Sequence, residues 1–301
     1  VTLVALAQAG VLTLAYFPYD SDGPPSAEEM RKTRDYYARA YAAPPKDEPD
    51  SSNTERYVKI AAAAAKEFKV EDRVRRFVEQ YDLTGKRVLE VGAGRGYLQD
   101  IVDDYTGLDI SSSARRFFHK PFVLGSATAM PFEDNSFDAV WTVWVLEHVP
   151  APEQALAEIR RVVKPGGYIF LMPSWNVMPW VADGYNVRPY SELGVGGRAI
   201  KASILPRAYL YVLAQHVIRP LRYRWWKLSG GPTKLRYRRL DANYETYWGP
   251  DSDAVNSLGR FETALWFTSR GDRWLNGGDE SMVEFSEPLL LQVVKRAVGL
   301  T

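Results

Sequence analysis

Between Val88 and Ser111 the sequence reads VLEVGAGRGYLQDIVDDYTGLDIS. A short apolar run ends beside an acid, Glu90. Three glycines follow at alternate positions, Gly92, Gly94 and Gly96, with Ala93 among them, and a second acid, Asp109, closes another apolar run. Glycines in the turn after a strand let the main chain approach a ligand closely, and a following helix start aims N–H groups at it. Dinucleotide enzymes use G-x-G-x-x-G for a pyrophosphate, with the third glycine at the helix start. Here that third position is Tyr97. A carboxylate at Glu90, beside the loop, suits a ligand with a cationic group better than a pyrophosphate. A second candidate pair, Glu147 and His148, follows the apolar run FDAVWTVW. His148 is the side chain of choice for a general base near neutral pH, and Glu147 is the runner-up. Each candidate has a plainer alternative: a helix cap for Asp109, cap and packing residues for Glu147 and His148. His119, in FFHKPF, reads as structural.

The elements that must hold these residues can be read from the alternation of the chain. From Arg87 onward, short β-rich runs (RVLEV, YTGLDI, PFVLG, FDAVWTVW, GYIFLMP) alternate with helical stretches (YLQDIVDD, SSARRFF, APEQALAEIRRVV). Near-continuous apolar strands separated by helices argue for a parallel sheet covered on both faces. KPGG marks a helix stop. After Met172 the alternation ceases for some 85 residues and resumes with a helix at RFETALWFTSR, then RWL and PLLLQVVKR as the last strands. Upstream, TERYVKIAAAAAKEFKVEDRVRRFVEQY is rich in helix formers, and SAEE at Ser26 is a capping-box pattern. DSDAVNS resembles a capped helix start.

Composition removes several classes of function. The 301 residues contain no cysteine, three widely spaced histidines (His119, His148, His216) and a net charge of +1. Disulfides, thiolate metal sites and a cysteine nucleophile are excluded, and no metal site is expected. The lack of cysteine fits a reducing, cytoplasmic setting. The uncharged opening, VTLVALAQAGVLTLAYFP, lacks the basic start of a signal peptide and is slightly short for a membrane span. It reads as a packed or frayed segment, with a membrane-touching anchor as the alternative. Residues 193–240 hold eleven Lys and Arg and no Asp or Glu, interleaved with Tyr209, Tyr211, Tyr223, Trp225, Trp226 and Tyr237. Such a segment is a basic helical cap, a contact for an anionic membrane surface or lipid phosphate, or a nucleic-acid contact.

The order LEVGAGRG, GLDIS, GSATAMPFEDNSFDAVWTVWVLEHV and ALAEIRRVVKPGGYIFLMP resembles the class I S-adenosylmethionine-dependent methyltransferases, within them the type 11 branch, over roughly residues 80–175. The resemblance implies a Rossmann-like, doubly wound, seven-stranded α/β sheet with its last strand antiparallel. The expected organisation is an N-terminal extension or linker (1–55), a core that binds S-adenosyl-L-methionine (56–175), an inserted substrate cap after strand 5 (176–257) and the C-terminal part of the core (258–301). Glu90 would face the methionine amino group, with Gly92, Ala93, Gly94 and Gly96 along the methionine and ribose. Asp109 would accept from both ribose hydroxyls, Ile110 would pack on adenine, and Trp141 and Thr142 would line the methionine side. Two departures stand out. The acid that in the family contacts the adenine amine is here Ser126, so a hydroxyl or the Ala127 N–H would replace it, at about 1 kcal/mol, the worth of one hydrogen bond. The distance from the loop to Asp109 is about one helical turn shorter than in many relatives.

The implied reaction is methyl transfer to a small or lipid-linked acceptor, chiefly O-methylation. C-methylation of a quinone-like ring and a non-catalytic cofactor-binding partner or sensor are the alternatives. Trp175 and Asn176, after strand 5, and Tyr244, Tyr247 and Trp248 are candidate acceptor contacts, with plain packing as the competing role. Strand 4 ends in DAVW rather than the Asn/Asp-Pro-Pro-aromatic signature of amino-directed nucleic-acid methyltransferases, which argues against nucleic acid. The tail resembles those of stand-alone bacterial methyltransferases. Oligomeric state is left open.

Overall fold

The computed structural model describes residues 25–41, 53–277 and 287–294. The uncharged stretch 1–18 and most of the polar linker lie outside them. Five parallel strands form the body of a sheet: β1 (Val88–Val91), β2 (Tyr105–Asp109), β3 (Phe122–Leu124), β4 (Phe137–Val143) and β5 (Val163–Met172). A separate hairpin follows, β6 (Tyr237–Arg239) against β7 (Asn256–Leu258). The last two strands of the main sheet are β8 (Arg273–Trp274) and β9 (Leu289–Gln292). Strand order is β3-β2-β1-β4-β5-β9-β8, with β9 antiparallel to both neighbours. The expected seven-stranded, doubly wound sheet with an antiparallel last strand is the one that forms.

Strand periodicity assigns the two faces. Leu89, Val91, Val140, Ile169 and Leu171 point to one side, where Leu156 and Ile159 of α4 (Pro152–Val162) and Ala264 and Phe267 of α6 (Arg260–Thr268) cover them. Val88, Ala139, Trp141 and Phe170 point to the other, against Val74, Phe77 and Val78 of α3 (Val70–Gln80). Each fully buried side chain of this size contributes roughly 1.5–3 kcal/mol. The carboxyl ends of the strands thereby become a rigid rim.

Ahead of α3 lie α1 (Ala27–Ala40) and α2 (Asn53–Glu67). α1 starts with the expected capping box: Glu29 N donates to Ser26 Oγ (3.1 Å) and Ser26 N to Glu29 Oε2 (2.6 Å). The helix-rich stretch before the sheet is two helices, broken at Lys69, whose φ is +49°. Between β5 and the hairpin runs α5 (Val195–Ser229), 35 residues with Pro206 and Pro220 inside it, about 52 Å long. Its inner face buries Tyr211, Ala214, Gln215 and Arg219.

Three local expectations are corrected. YLQDIVDD is a chain of turns rather than a helix, although Leu98, Ile101 and Val102 are buried as a helix would bury them. Those eight residues must return past a strand of about 16 Å; as an α-helix they would cover only about 12 Å. SSARRFF is one short 3-10 helix, Ser112–Phe117. DSDAVNS starts no helix: Ser252 bonds back to Gly249, Val255 N donates to Glu147 O (3.0 Å), and the chain enters β7. A tertiary partner claims the donor a helix would have used.

Candidate cofactor and acceptor site

A cavity of about 830 Å³ lies at the carboxyl ends of β1, β2 and β4, roofed by α1 and α2. Its floor is the glycine loop. Gly92 and Gly94 have φ of +74° and +52°, a region that L side chains rarely adopt. A Cβ on Gly92 would stand 2.2 Å from Val145 Cγ2, and one on Gly94 would stand 3.2 Å from the Tyr41 hydroxyl. The loop is held to β2 by Gly92 N and Ala93 N, both donating to Leu108 O (2.8 and 3.0 Å). Gly96 shapes the turn but is not on the cavity wall.

Asp109 braces two loops at once. Gly94 N donates to its Oδ2 and Ser111 N to its Oδ1, each at 2.8 Å. Each carboxylate oxygen keeps a second lone pair on a residue that lines the cavity. Burial raises its pKa against the pull of those N–H donors. Glu90, also on the wall, is buried and accepts from the Tyr105 hydroxyl. Burial pushes its carboxyl up to about 8, despite that hydrogen bond. A buried acid beside a glycine cradle suits an incoming cation, because an ammonium restores what burial removed. Ile110, Ser126 and Ala127 line the same cavity; the Ser126 hydroxyl is within 2.8 Å of Thr128 Oγ1.

Other expected positions fall elsewhere. β4 runs on to Val143, so Trp141 and Thr142 are sealed in the sheet, and the residues that turn over its end are Val143, Trp144 and Val145. Trp144 has φ +51°, strain that a bulky residue keeps only where its surroundings impose it. Trp175 lines the cavity, whereas Asn176 does not: its Oδ1 accepts from the Tyr211 hydroxyl (2.8 Å). Tyr244 packs on Tyr36 and shares a hydrogen bond with Thr33 (2.9 Å), fastening α1. Trp248 lies under the Arg188 guanidinium, 4.5 Å away. Tyr247 is the aromatic of this group on the wall.

In the turn after β4, His148 lines the cavity and sits among carboxylates. Its Nδ1 is 3.4 Å from Asp253 O and 3.6 Å from Asp253 Oδ2, and its Nε2 is 4.0 Å from Glu147 Oε1, too far for a hydrogen bond. Tyr37 of α1 donates its hydroxyl proton to Asp253 Oδ2 (2.5 Å). Glu147 accepts from Ser174 N and Asp251 from Ser174 Oγ, each at 2.9 Å. Burial pushes Glu147 up to about 7 and raises Asp251. For His148, burial opposes the charged form, yet Asp253, Glu147 and Asp251 together outweigh it and raise the imidazole pKa. Glu147, His148 and Asp251 offer ligand atoms all within 4.8 Å of one another, although Ser174 already engages both acids. Asp251 and Asp253 were not singled out by sequence; the one signal was two acids in a polar run, misread as a helix start. Tyr37 had none, since its role depends on α1 crossing to residues more than 200 positions away.

α2 contributes Val58, Ile60 and the alanines Ala61, Ala62, Ala64 and Ala65 to the wall, with Lys66 at its end, and Phe68, Lys69, Glu71 and Asp72 continue the lining. The repetitive AAAAA of the sequence is therefore a surface that leaves room.

With this geometry in place, comparisons with known proteins define the class. A family model of the methyltransferase domain matches residues 89–171, the β1–β5 span. The chain is 31% identical over 187 residues to the fatty-acid O-methyltransferase of Mycolicibacterium smegmatis, covering 56% of this chain and 68% of that protein. It is 37% identical over 142 residues to the demethylmenaquinone methyltransferase of Renibacterium salmoninarum (42% and 57% covered). It is 36% identical over 138 residues to the phthiotriol/phenolphthiotriol dimycocerosates methyltransferase 1 of Mycobacterium ulcerans (40% and 51% covered). The chain thus spans about half the length of these last two relatives. It belongs to the class I S-adenosylmethionine-dependent methyltransferases. S-adenosylmethionine is the cofactor that comes with that membership.

The buried Glu90 and the glycine cradle fit this cofactor. At pH 7 a carboxyl with a pKa near 8 is mostly protonated. Set against the methionine ammonium, the partner the family resemblance implies for it, it would give that proton up. Binding of S-adenosylmethionine should therefore release about one proton at pH 7, read as a dependence of the calorimetric enthalpy on the buffer's ionisation enthalpy, and Glu90→Gln should abolish the dependence. An enthalpy independent of buffer in the unaltered protein would remove the ammonium from Glu90.

Proposed function

We propose that the protein transfers a methyl group from S-adenosylmethionine to an oxygen of a lipid-linked or small apolar acceptor. The observation that carries this reading is one cavity lined by both the glycine loop and His148, with the alanines of α2 on its wall. Glu90, the Gly92–Gly94 backbone, Asp109 and Ile110 hold the cofactor, and Ser126 or the Ala127 N–H meets the adenine. The bound cofactor supplies an electrophilic methyl: the acceptor oxygen bonds to that carbon as the carbon–sulfur bond breaks, leaving its electron pair on sulfur. Most of the rate then comes from alignment. His148 takes the hydroxyl proton at Nε2, and Asp253 and Glu147 stabilise the imidazolium that results. Trp144, Trp175 and Tyr247 bound the acceptor's space. The alanines of α2 and the basic segment 193–240 support an acceptor carried by a membrane, and DAVW in β4, in place of the Asn/Asp-Pro-Pro-aromatic signature, argues against nucleic acid.

A second reading is C-methylation of a quinone-like ring, favoured by the similarity to a demethylmenaquinone methyltransferase. The experiment is incubation with methyl-tritiated S-adenosylmethionine and, side by side, a mycobacterial total lipid extract and a polar metabolite extract. Label should appear in an organic-soluble product as a base-stable methyl ether, released as methyl iodide by hot hydriodic acid; release of labelled methanol by mild base would instead mark a carboxylate acceptor, which needs no proton removed by His148. Base-stable label on a quinone ring would favour the second reading. Label confined to water-soluble products would overturn the lipid-linked acceptor.

A further inference from the structure

We propose that the outer face of α5 docks on the surface of an anionic bilayer. The inference deepens the reading of a membrane-borne acceptor and rests on it for its purpose. It stands on the helix itself. α5 turns Tyr211, Ala214, Gln215 and Arg219 inward, and the opposite face presents Leu205, Tyr209, Leu213, Val217, Leu221 and Leu228 to solvent. These are not marginal exposures: Leu205 is 81% exposed, Val217 61% and Leu228 86%. Scattered exposed apolar residues are ordinary, but a contiguous stripe along a helix of about 52 Å marks an interaction surface.

The stripe is too polar at its ends and flanks to cross a membrane; among the described residues no helix is long and apolar enough to do so. It has the marks of a helix lying in the interfacial plane. Exposed Arg224 and Lys227 follow the apolar stripe, Trp225 is 69% exposed beside them, and Lys234 and Arg236 lie exposed just beyond the helix. Tryptophan and tyrosine favour the headgroup level, and each basic residue near an anionic leaflet strengthens binding about fivefold.

Charge selects this occupant over a second copy of the chain. Residues 193–240 carry eleven cations and no acid. A second copy of the helix laid on this face would bring no carboxylate to answer its outward cations, Arg224 and Lys227. Phosphate headgroups answer them directly. Most of the helix's cations are engaged within the protein: Arg198 and Lys201 donate to main-chain carbonyls, Arg207 stacks on Trp180, Arg219 is buried and Arg222 turns inward to Glu262 (2.8 Å). Arg224 and Lys227 at the helix end are the ones that face outward.

The test is flotation of the full chain with vesicles of phosphatidylcholine containing about a third phosphatidylglycerol, and with pure phosphatidylcholine, at low and high salt. The protein should float with the anionic vesicles at low salt, and binding should fall as salt screens the surface. Leu213→Glu with Val217→Glu should abolish flotation. Arg224→Gln with Lys227→Gln should weaken it more than about tenfold, the loss of two charges. Both variants should keep the unaltered affinity for S-adenosylmethionine, which certifies that they fold. Failure of the unaltered protein to float while it binds cofactor would overturn the docking and leave the methyl-transfer reading standing. Light scattering that shows a dimer in the absence of lipid, broken by Leu213→Glu with Val217→Glu, would assign the face to a second copy and overturn the proposal.

Discussion

Replacing His148 by alanine should lower kcat on a hydroxyl acceptor by about 10²- to 10⁴-fold, the span of a lost general base, and leave S-adenosylmethionine affinity nearly unchanged. The imidazole lines the cavity but takes no part in the hydrogen bonds of Glu90, Asp109 or the glycine loop, so its loss bears on proton removal. The pH profile carries more information than the rate. With Asp253, Glu147 and Asp251 raising the pKa of His148, the acid limb of kcat/KM should lie above the ordinary imidazole value of about 6.5, activity rising as the ring loses its proton. Asp253→Asn removes the largest of the three raising influences, so that limb should move to lower pH. A His148→Ala enzyme with undiminished turnover, or a limb that Asp253→Asn leaves in place, would show that the acceptor needs no base from this cluster.

The second large effect belongs to Asp109. Asp109→Ala should weaken S-adenosylmethionine binding by more than tenfold and, if both ribose hydroxyls bond to it, by about a hundredfold or more, at 1.5–3 kcal/mol per hydrogen bond to a charged group. Part of the loss comes from the brace, because Gly94 N and Ser111 N lose their acceptor together. Asp109→Asn keeps one acceptor oxygen and should recover part of the affinity. The measurement is calorimetric titration, with thermal unfolding as the check that the sheet persists. Unchanged affinity in Asp109→Ala would remove the ribose from this carboxylate.

The sheet and its loop were legible because their signals are local. Apolar runs of four to seven residues, glycines forced by positive φ and acids at strand ends belong to single β–turn units, so Glu90, Gly92, Gly94 and Asp109 were found together. The acceptor side was legible only in part. Trp141 and Thr142 were misplaced because sequence does not say where a strand stops within two residues, and a two-residue error moves a side chain from rim to core. Asn176, Tyr244 and Trp248 have the right residue types, but their polar atoms or ring faces meet Tyr211, Thr33 and Arg188. Asp253 and Tyr37 converge on His148 from opposite ends of the chain, and no spacing rule connects positions separated by 216 residues. The turns at 97–104 failed for a further reason: the helical pattern is present, but the length to be covered overrode it.

The stretch of wall that α2 lines with alanines discriminates by girth and little else. Ala61, Ala64 and Ala65 offer an acceptor an aliphatic surface with no donor or acceptor atoms on their side chains. Contact with such a surface separates one chain from another by only about 1–3 kcal/mol per methylene, whereas a buried polar group left unpaired rejects a wrong partner far more strongly. Chain length and branching are therefore weak criteria here, and chemical identity must be read at the polar end, among His148, Asp251 and Tyr247. If the acceptor is the lipid-linked one proposed above, the cavity would be tolerant in the tail and strict at the head, and a shift toward bulkier or slimmer tails would need no change in the groups that move the proton.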